Sequence, residues 1–264
     1  MTPKTGRRIV PFTRLRKRYK RLGQTKVSTQ HRREECDQQL AADAKPLVDE
    51  FREAVDLMES YDNRGEPFFP KTGRVEKPRK RGTVEVTRLL KEAGLVNVQE
   101  MKSYSFKLVE REVNPLRTTR GDFLDGTRSS AGGIDYVALL QSEPSTPILG
   151  EIKVGSDKDA YYAFVQLLTY LSELSSEAQF TRANEVLFDR RLVYPVRFDL
   201  HILLWKYNDR GERGPIIKST RQLAEVFKAR LTAAMGASCT LGRVLCLRNP
   251  PEPFAGALNL VWSV

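Results

Sequence analysis

The sequence predicts one α/β fold built on a mixed β-sheet with helices packed against it. Three observations lead to this prediction: the chain length, the repeated change of hydrophobic period, and the absence of a long apolar run. A chain of 264 residues can bury one substantial core. Segments that alternate between strand and helix periods are typical of α/β domains. No apolar run approaches the roughly eighteen residues that a membrane helix needs, so no membrane partner is expected.

The elements of this fold are predicted from hydrophobic period, caps and turn residues. An amphipathic helix is expected at 46–61, and a Pro- and Gly-rich linker at 62–82 separates it from the main domain. The helix Thr83–Ala93 should end at Gly94, because glycine is the commonest C-terminal cap. The remaining predictions are strands at 96–109, 134–140, 148–154, 197–207, 243–248 and 257–264, and helices at 157–174 and 220–232.

The positive charge of the chain is concentrated at its N-terminus. The net charge is +11, yet residues 1–33 contain twelve Lys and Arg and no Asp or Glu, which leaves −1 for residues 34–264. Such a block predicts a disordered basic arm at 1–35, followed by a helix and linker at 36–80 and the main domain at 81–264. Nucleic acid is the expected partner of arm residues 1–33, because phosphate contacts release counterions. Anionic lipid or ribosomal RNA would serve equally well.

Cysteine and histidine content narrows the chemistry and the location. Cys36, Cys239 and Cys246 have no CxxC spacing, which predicts a reducing compartment and neither a zinc finger nor an iron–sulfur cluster. With only His31 and His201, a histidine-based mechanism has little to draw on. A cytoplasmic or nucleoid-associated location is expected, and an organelle matrix is the alternative because the start is Arg-rich and free of acids.

Two short apolar strands carry charged residues that need an explanation. In GGIDYVALL, Asp135 lies on the strand face opposite to Tyr136 and Ala138, and in ILGEIKV, Glu151 and Lys153 share one face. Burying such charges is costly unless they are paired or bind a metal. Two carboxylates suit Mg²⁺, or Mn²⁺ in its place, and a neighbouring lysine can orient water and offset charge on phosphorus. The sequence therefore predicts metal-dependent phosphodiester hydrolysis.

These motifs resemble those of the PD-(D/E)XK nuclease superfamily. GGID and EIK are separated by fifteen residues, and the order of elements from about 81 to 207 is similar to that of the family. The resemblance implies a restriction-endonuclease-like mixed central β-sheet flanked by helices. It also implies a Mg²⁺-dependent deoxyribonuclease, with Asp135 and Glu151 as metal ligands, the Ile152 carbonyl as a further ligand, and Lys153 as a catalytic residue.

Two further segments extend the resemblance. Gln166 and Tyr170 in QLLTY match the QxxxY helix of the RecB-like branch, which implies that they support the active site. The segment RGTVE resembles the start of the first helix in resolvase-like members, which makes Glu85 the candidate for an additional metal ligand, with Glu92 as the competing choice.

This sequence also departs from the family pattern. Ile134 replaces the proline expected before the Asp, and the loop 110–132 is longer than in minimal members. Its four arginines could contact substrate or belong to an exposed insertion; they are Arg111, Arg117, Arg120 and Arg128.

The expected function is a nuclease that acts on DNA. The sequence leaves open whether RNA is the substrate instead, and whether cleavage starts at an end or occurs internally. Two alternatives remain. One is a catalytically inactive nucleic-acid-binding or scaffold protein with the same fold, and the other is a binding protein driven by its basic tail alone.

Overall fold

The computed structural model describes residues 12–61, 82–116, 133–250 and 253–264. The predicted linker and most of the predicted 110–132 loop, with Arg117, Arg120 and Arg128, lie outside these ranges. The described helices are α1 (Arg14–Leu22), α2 (Thr29–Ala41), α3 (Lys45–Ser60), α4 (Thr83–Ala93), α5 (Ala160–Leu174), α6 (Glu177–Leu187) and α7 (Arg213–Met235). The described strands are β1 (Val96–Val98), β2 (Ser105–Val113), β3 (Ile134–Leu140), β4 (Pro147–Val154), β5 (Phe198–Trp205), β6 (Leu241–Arg248) and β7 (Ala257–Ser263).

The strands of the described residues form a closed barrel in the order β1 to β7. Strands β4, β5 and β6 are parallel, whereas β1–β2, β2–β3, β3–β4 and β6–β7 are antiparallel. The barrel closes because β1 pairs in parallel with β7, with Asn97 opposite Ala257 and Val98 opposite Leu258. The predicted restriction-endonuclease-like central sheet, which would have two free edges, is therefore wrong.

A turn that the hydrophobic pattern did not reveal accounts for this difference. The segment 96–109 was predicted as one strand, but the chain reverses after Val98, and Glu100 adopts a left-handed conformation with φ 69°. The Tyr104 N–H donates to the Met101 carbonyl at 2.8 Å, which closes the turn. The short strand β1 is thereby free to pair with β7, about 160 residues away in sequence. Such long-range pairing leaves no local sequence signal.

The sheet separates two hydrophobic clusters. One takes side chains from all seven described strands and from Val86 and Leu90 of α4, so it fills the inner face of the barrel. The other joins the outer face of β2 to β7 to helices α1, α2, α3, α5, α6 and α7. Side chains alternate along a strand, so Val137 and Leu149 point outward, while Ala138 and Ile148 point inward. The outer face is thus covered by helices.

Most predicted elements are confirmed, with changes at their ends. Strand β3 and helix α4 have the predicted bounds, and Gly94 follows α4 with φ 70°. Helix α5 begins later than predicted because Asp159 is its N-cap and accepts a hydrogen bond from the Tyr162 N–H. Helix α6 was not predicted, although Ser176 provides the N-cap that marks its start. No helix in the described part of the chain is long and apolar enough to cross a membrane.

The prediction of a disordered basic arm is wrong for residues 14–33, which form α1 and the first part of α2; residues 1–11 lie outside the described ranges. Leu15 and Leu22 of α1 are fully buried in the outer cluster. The Arg16 Nε donates to Glu173 of α5 at 2.6 Å, and both side chains are buried. Helix α2 is tied to the start of α5 by the buried ion pair of Arg32 with Asp159. Much of the N-terminal charge is therefore neutralised within the fold.

A chain of buried polar groups crosses the barrel interior. The Tyr104 hydroxyl donates to Asp199 at 2.7 Å, because a carboxylate only accepts. Tyr104 must then accept from His201 Nε2 at 2.8 Å, so His201 Nδ1 accepts from the Tyr136 hydroxyl at 3.1 Å. Arg243 completes the chain by donating to Asp199 at 2.8 Å. The network requires a neutral imidazole.

The buried ion pair of α1 gives the first prediction. Arg16→Ala should lower the free energy of unfolding by about 3–5 kcal/mol, because it leaves the Glu173 carboxylate buried and uncompensated. Denaturant titration measures this change. Arg88→Ala is the matched control: it breaks the exposed Arg88–Glu92 pair on α4 and should cost no more than about 0.5 kcal/mol. Equal costs for the two variants would show that α1 does not belong to the cooperative core.

His201 gives a prediction about pH. Burial, and then the charge of Arg243, lowers the pKa of His201 to about 3. Below about pH 6.5 the His201 imidazole is protonated in the unfolded chain but stays neutral in the folded chain. The free energy of unfolding therefore falls as the pH drops from 6.5 towards 3. Between pH 7 and pH 5 this residue should account for a loss of roughly 2 kcal/mol. His201→Gln should remove that part of the loss; an unchanged slope of unfolding free energy against pH would contradict the assignment.

Candidate active site

The predicted site lies where strands β3 and β4 separate. Their ladder runs from Leu139 opposite Pro147 to Tyr136 opposite Gly150 and ends there. One residue beyond this pair, the Ile152 N–H donates to the Asp135 carboxylate at 2.8 Å. The side chain of Asp135 thus replaces a strand carbonyl as the acceptor, which fixes its carboxylate beside the carboxyl end of β4.

The ladder ends at a position that only glycine can occupy. A Cβ atom built on Gly150 would lie 2.0 Å from Cζ of Tyr136, so the Tyr136 ring covers the backbone of β4 at this point. The same tyrosine donates to His201 in the barrel interior. Tyr136 thus packs over Gly150 and also bonds to the polar network of the barrel interior, next to Asp135 in β3.

Glu151 and Lys153 lie on the outer face of β4, beneath α5. Each is only 3% exposed. The Lys153 ammonium donates to Glu151 Oε1 at 2.8 Å and to Gln166 Oε1 of α5 at 3.3 Å. The Gln166 amide in turn donates to the Tyr170 hydroxyl at 3.4 Å. The structure thus brings together all five residues predicted as catalytic: Asp135, Glu151, Lys153, Gln166 and Tyr170.

An aromatic ring completes the surroundings of the lysine. The Lys153 ammonium lies 4.7 Å from the centre of the Tyr162 ring, a cation–π distance. From its sequence position alone, Tyr162 is expected to pack at the helix flank. The signal for a larger role was present, because Tyr162, Gln166 and Tyr170 recur every four residues and so line one side of α5.

The pKa values of the site show that its carboxyl groups are not fully compensated by positive charge. Burial, and then the charge of Asp135, raises the pKa of Glu151 well above its usual value. Burial also raises the pKa of Asp135, although Lys153 acts in the opposite direction. Burial alone would lower the pKa of Lys153, but the charges of Glu151 and Asp135 outweigh it and raise that pKa. The lysine is therefore a cation, and its single charge does not fully compensate the buried Glu151 and the half-buried Asp135.

The residues present fit a hard divalent cation. Glu151 Oε2 is buried and has no hydrogen-bond partner among the described residues, so it is a carboxylate oxygen without its usual compensation. Within those residues no group of three or more His, Cys, Asp or Glu forms a ready-made metal cluster. Mg²⁺ needs only one or two carboxylates, because water and substrate phosphate fill its other positions. Asp135 and Glu151 meet that requirement, and Ile152, whose carbonyl was predicted as a ligand, lies between the two site residues of β4.

The additional acid near Asp135 comes from β2. Glu85, predicted for this role, is in the first turn of α4, and no described contact joins it to Asp135 or Glu151. Glu112 lies between Arg111, which pairs with Tyr136, and Val113, which pairs with Ile134, so it stands across from Asp135. Its charge contributes to the raised pKa of Asp135.

Glu112 also has a left-handed backbone, with φ 52°, which is uncommon for this residue type. Glu112 could not be identified from the sequence, because the register of β2 against β3 shifts at a bulge between Leu108 and Glu110.

Comparison of this chain with protein-family models, with curated proteins and with solved structures gave no match.

Metal binding should be visible as a gain in stability. At about one hundred times the dissociation constant, Mg²⁺ or Mn²⁺ should raise the free energy of unfolding by about 2.7 kcal/mol, because the assembled carboxylates exist only in the folded chain. Asp135→Asn should remove most of this gain. Glu112→Gln should weaken it and Glu85→Gln should leave it unchanged; the reverse order would assign the additional acid to α4. Thermal unfolding with and without metal measures this gain in stability for the wild type and the three variants.

Proposed function

We propose that this protein is a metal-dependent nuclease that hydrolyses phosphodiester bonds, with DNA as its first expected substrate. The observation that carries the proposal is the convergence of Asp135, Glu151 and Lys153 at the point where β3 and β4 separate. Their motifs resemble those of the PD-(D/E)XK superfamily. The resemblance applies to the site and its flanking helix α5, whereas the closed sheet differs.

Each residue has a chemical task in this proposal. Asp135 and Glu151 would hold Mg²⁺ or Mn²⁺, which when bound acidifies a water molecule and stabilises the leaving oxygen. Lys153, held as a cation, would orient the attacking water and offset the charge that develops on the phosphoryl oxygens. Gln166 fixes the ammonium through its carbonyl oxygen, and Tyr170 fixes the amide of Gln166.

Positive charge near the site favours a polyanionic substrate. Lys158, five residues after Lys153, has its pKa lowered first by burial and then by the charge of Arg32, whereas the charges of Asp157 and Asp159 act in the opposite direction. On α1 and the turn that follows it, Lys17 and Lys26 are exposed. These lysines, more than the paired arginines, would contact phosphate. A reducing compartment such as the cytoplasm or nucleoid suits such a substrate.

The burial of the site favours a second candidate function. Glu151 and Lys153 are almost inaccessible among the described residues, so a substrate phosphate can reach them only after a side chain or helix moves. A catalytically inactive nucleic-acid-binding protein would need no such movement. The two candidate functions make different predictions. A nuclease cleaves nucleic acid and loses activity when Asp135 or Lys153 is replaced, whereas a binding protein cleaves nothing in any variant.

The test compares wild type with Asp135→Asn and Lys153→Met on linear, circular and branched DNA and on RNA, each with Mg²⁺, Mn²⁺ or EDTA. Cleavage should require metal, and Lys153→Met should lower its rate roughly 100- to 1,000-fold, the usual loss when one preorganised charge is removed. Lys91→Met, which removes an exposed lysine of α4, is the matched control and should retain the wild-type rate. Binding without cleavage under every condition would establish the second candidate function instead.

A further inference from the structure

The Lys153 ammonium and four other side chains form a closed cycle of contacts, and one of the four, Tyr19, comes from α1. The first part of the cycle runs through hydrogen bonds: Lys153 to Gln166 at 3.3 Å, Gln166 to Tyr170 at 3.4 Å, and Tyr170 to Tyr19 at 3.4 Å between hydroxyls. The rest runs through rings: Tyr19 lies 5.4 Å from the Tyr162 ring, which lies 4.7 Å from the ammonium. Tyr19 is the only member outside β4 and α5.

Helix α1 holds the Tyr162 ring in place. Tyr19 packs against one side of that ring, and Gly23, which ends α1, approaches its hydroxyl. A Cβ atom on Gly23 would lie 2.9 Å from the Tyr162 hydroxyl oxygen, so the helix end and the ring are already in close contact. Helix α1 therefore closes off the positions of the ring that Tyr19 and Gly23 occupy.

Helix α1 is itself firmly attached to α5. Arg16 pairs with Glu173 in the interior, and its guanidinium carbon lies 5.9 Å from the centre of the Tyr170 ring. Tyr19 is 7% exposed, and it also contacts Tyr170 edge-on at 6.0 Å between ring centres. The position of Tyr19 is therefore fixed by contacts that do not involve Lys153.

We propose that Tyr19 is a positioning residue of the active site, which sets the Lys153 ammonium against Glu151 through Tyr162 and Tyr170. A lysine side chain has a flexible four-carbon stem, so its ammonium takes one position only where its surroundings select it. Glu151 and Gln166 supply two acceptors, and the Tyr162 ring supplies a negative face on a third side. Tyr19 holds that ring and the hydroxyl that supports Gln166. The effect on catalysis rests on the proposed nuclease function, whereas the placement of Lys153 does not.

The first readout needs neither metal nor substrate. In protein labelled with ¹³C at lysine Cε, the Lys153 signal is assigned by its loss in Lys153→Met, and the Tyr162 ring should displace its Hε resonances upfield. Tyr19→Leu should return them towards the position of exposed lysines. Tyr19→Phe, which keeps both ring contacts and loses only the hydroxyl contact with Tyr170, should give a smaller change in the same direction. Tyr161→Phe is the matched control, because Tyr161 is a buried tyrosine of α5 that bonds to Glu35 and does not belong to the cycle.

The second readout is cleavage. Tyr19→Leu should lower kcat roughly 10- to 100-fold with little change in KM, as expected when a reacting group is displaced by about 1 Å. Tyr161→Phe should remain within about twofold of wild type.

Unchanged Lys153 resonances in both Tyr19 variants, with wild-type circular dichroism, would overturn the proposal. If Tyr19→Leu does not fold, Tyr19→Phe decides alone, and its failure to move the Lys153 signal overturns the proposal equally. A displaced Lys153 signal in a protein that cleaves no substrate would uphold the positioning role of Tyr19 and refute the nuclease function.

Discussion

The hydrogen bond from the Ile152 N–H to the Asp135 carboxylate is the interaction on which the candidate site depends. It forms where the β3–β4 ladder stops, and it fixes the position of the Asp135 carboxylate between the two separating strands. Because alternate residues of β4 share a face, Glu151 and Lys153 then lie together on the outer side of the barrel. Tyr136 and Gly150 are the last pair of that ladder, and no larger residue at 150 would fit beneath the tyrosine ring.

The site is electrostatically costly for the metal-free fold. The buried Glu151 and the half-buried Asp135 have pKa values raised above their usual range, and a single ammonium compensates them only in part. A folded-state pKa above the unfolded value means that these groups stabilise the fold at low pH, and that this stability is lost as pH rises through the folded pKa. A bound divalent cation would remove that cost. The strain is therefore concentrated where the proposed chemistry takes place, as is common for functional sites.

The N-terminal helices offset this cost and also build the site. Leu15, Leu22 and the Arg16–Glu173 pair attach α1 to α5, and Arg32 attaches α2 to the N-cap of the same helix. Helix α5 carries Tyr162, Gln166 and Tyr170, so the contacts that stabilise the N-terminal segment also fix the side chains around Lys153. The basic residues of this segment therefore serve internal ion pairs as well as any contact with phosphate.

Local signals in the sequence determined much of this structure. Hydrophobic period and caps predicted β3, α4 and most of α5, and strand alternation predicted that Glu151 and Lys153 share a face. The four-residue spacing of Gln166 and Tyr170 makes them neighbours on one side of α5. The barrel closure, the place of Glu112 and the role of Tyr19 could not be predicted. Each depends on a pairing between segments distant in sequence: β1 with β7, β2 with β3 across a bulge, and α1 with α5. Local period specifies which face of an element is apolar, but only tertiary packing decides which distant face it meets.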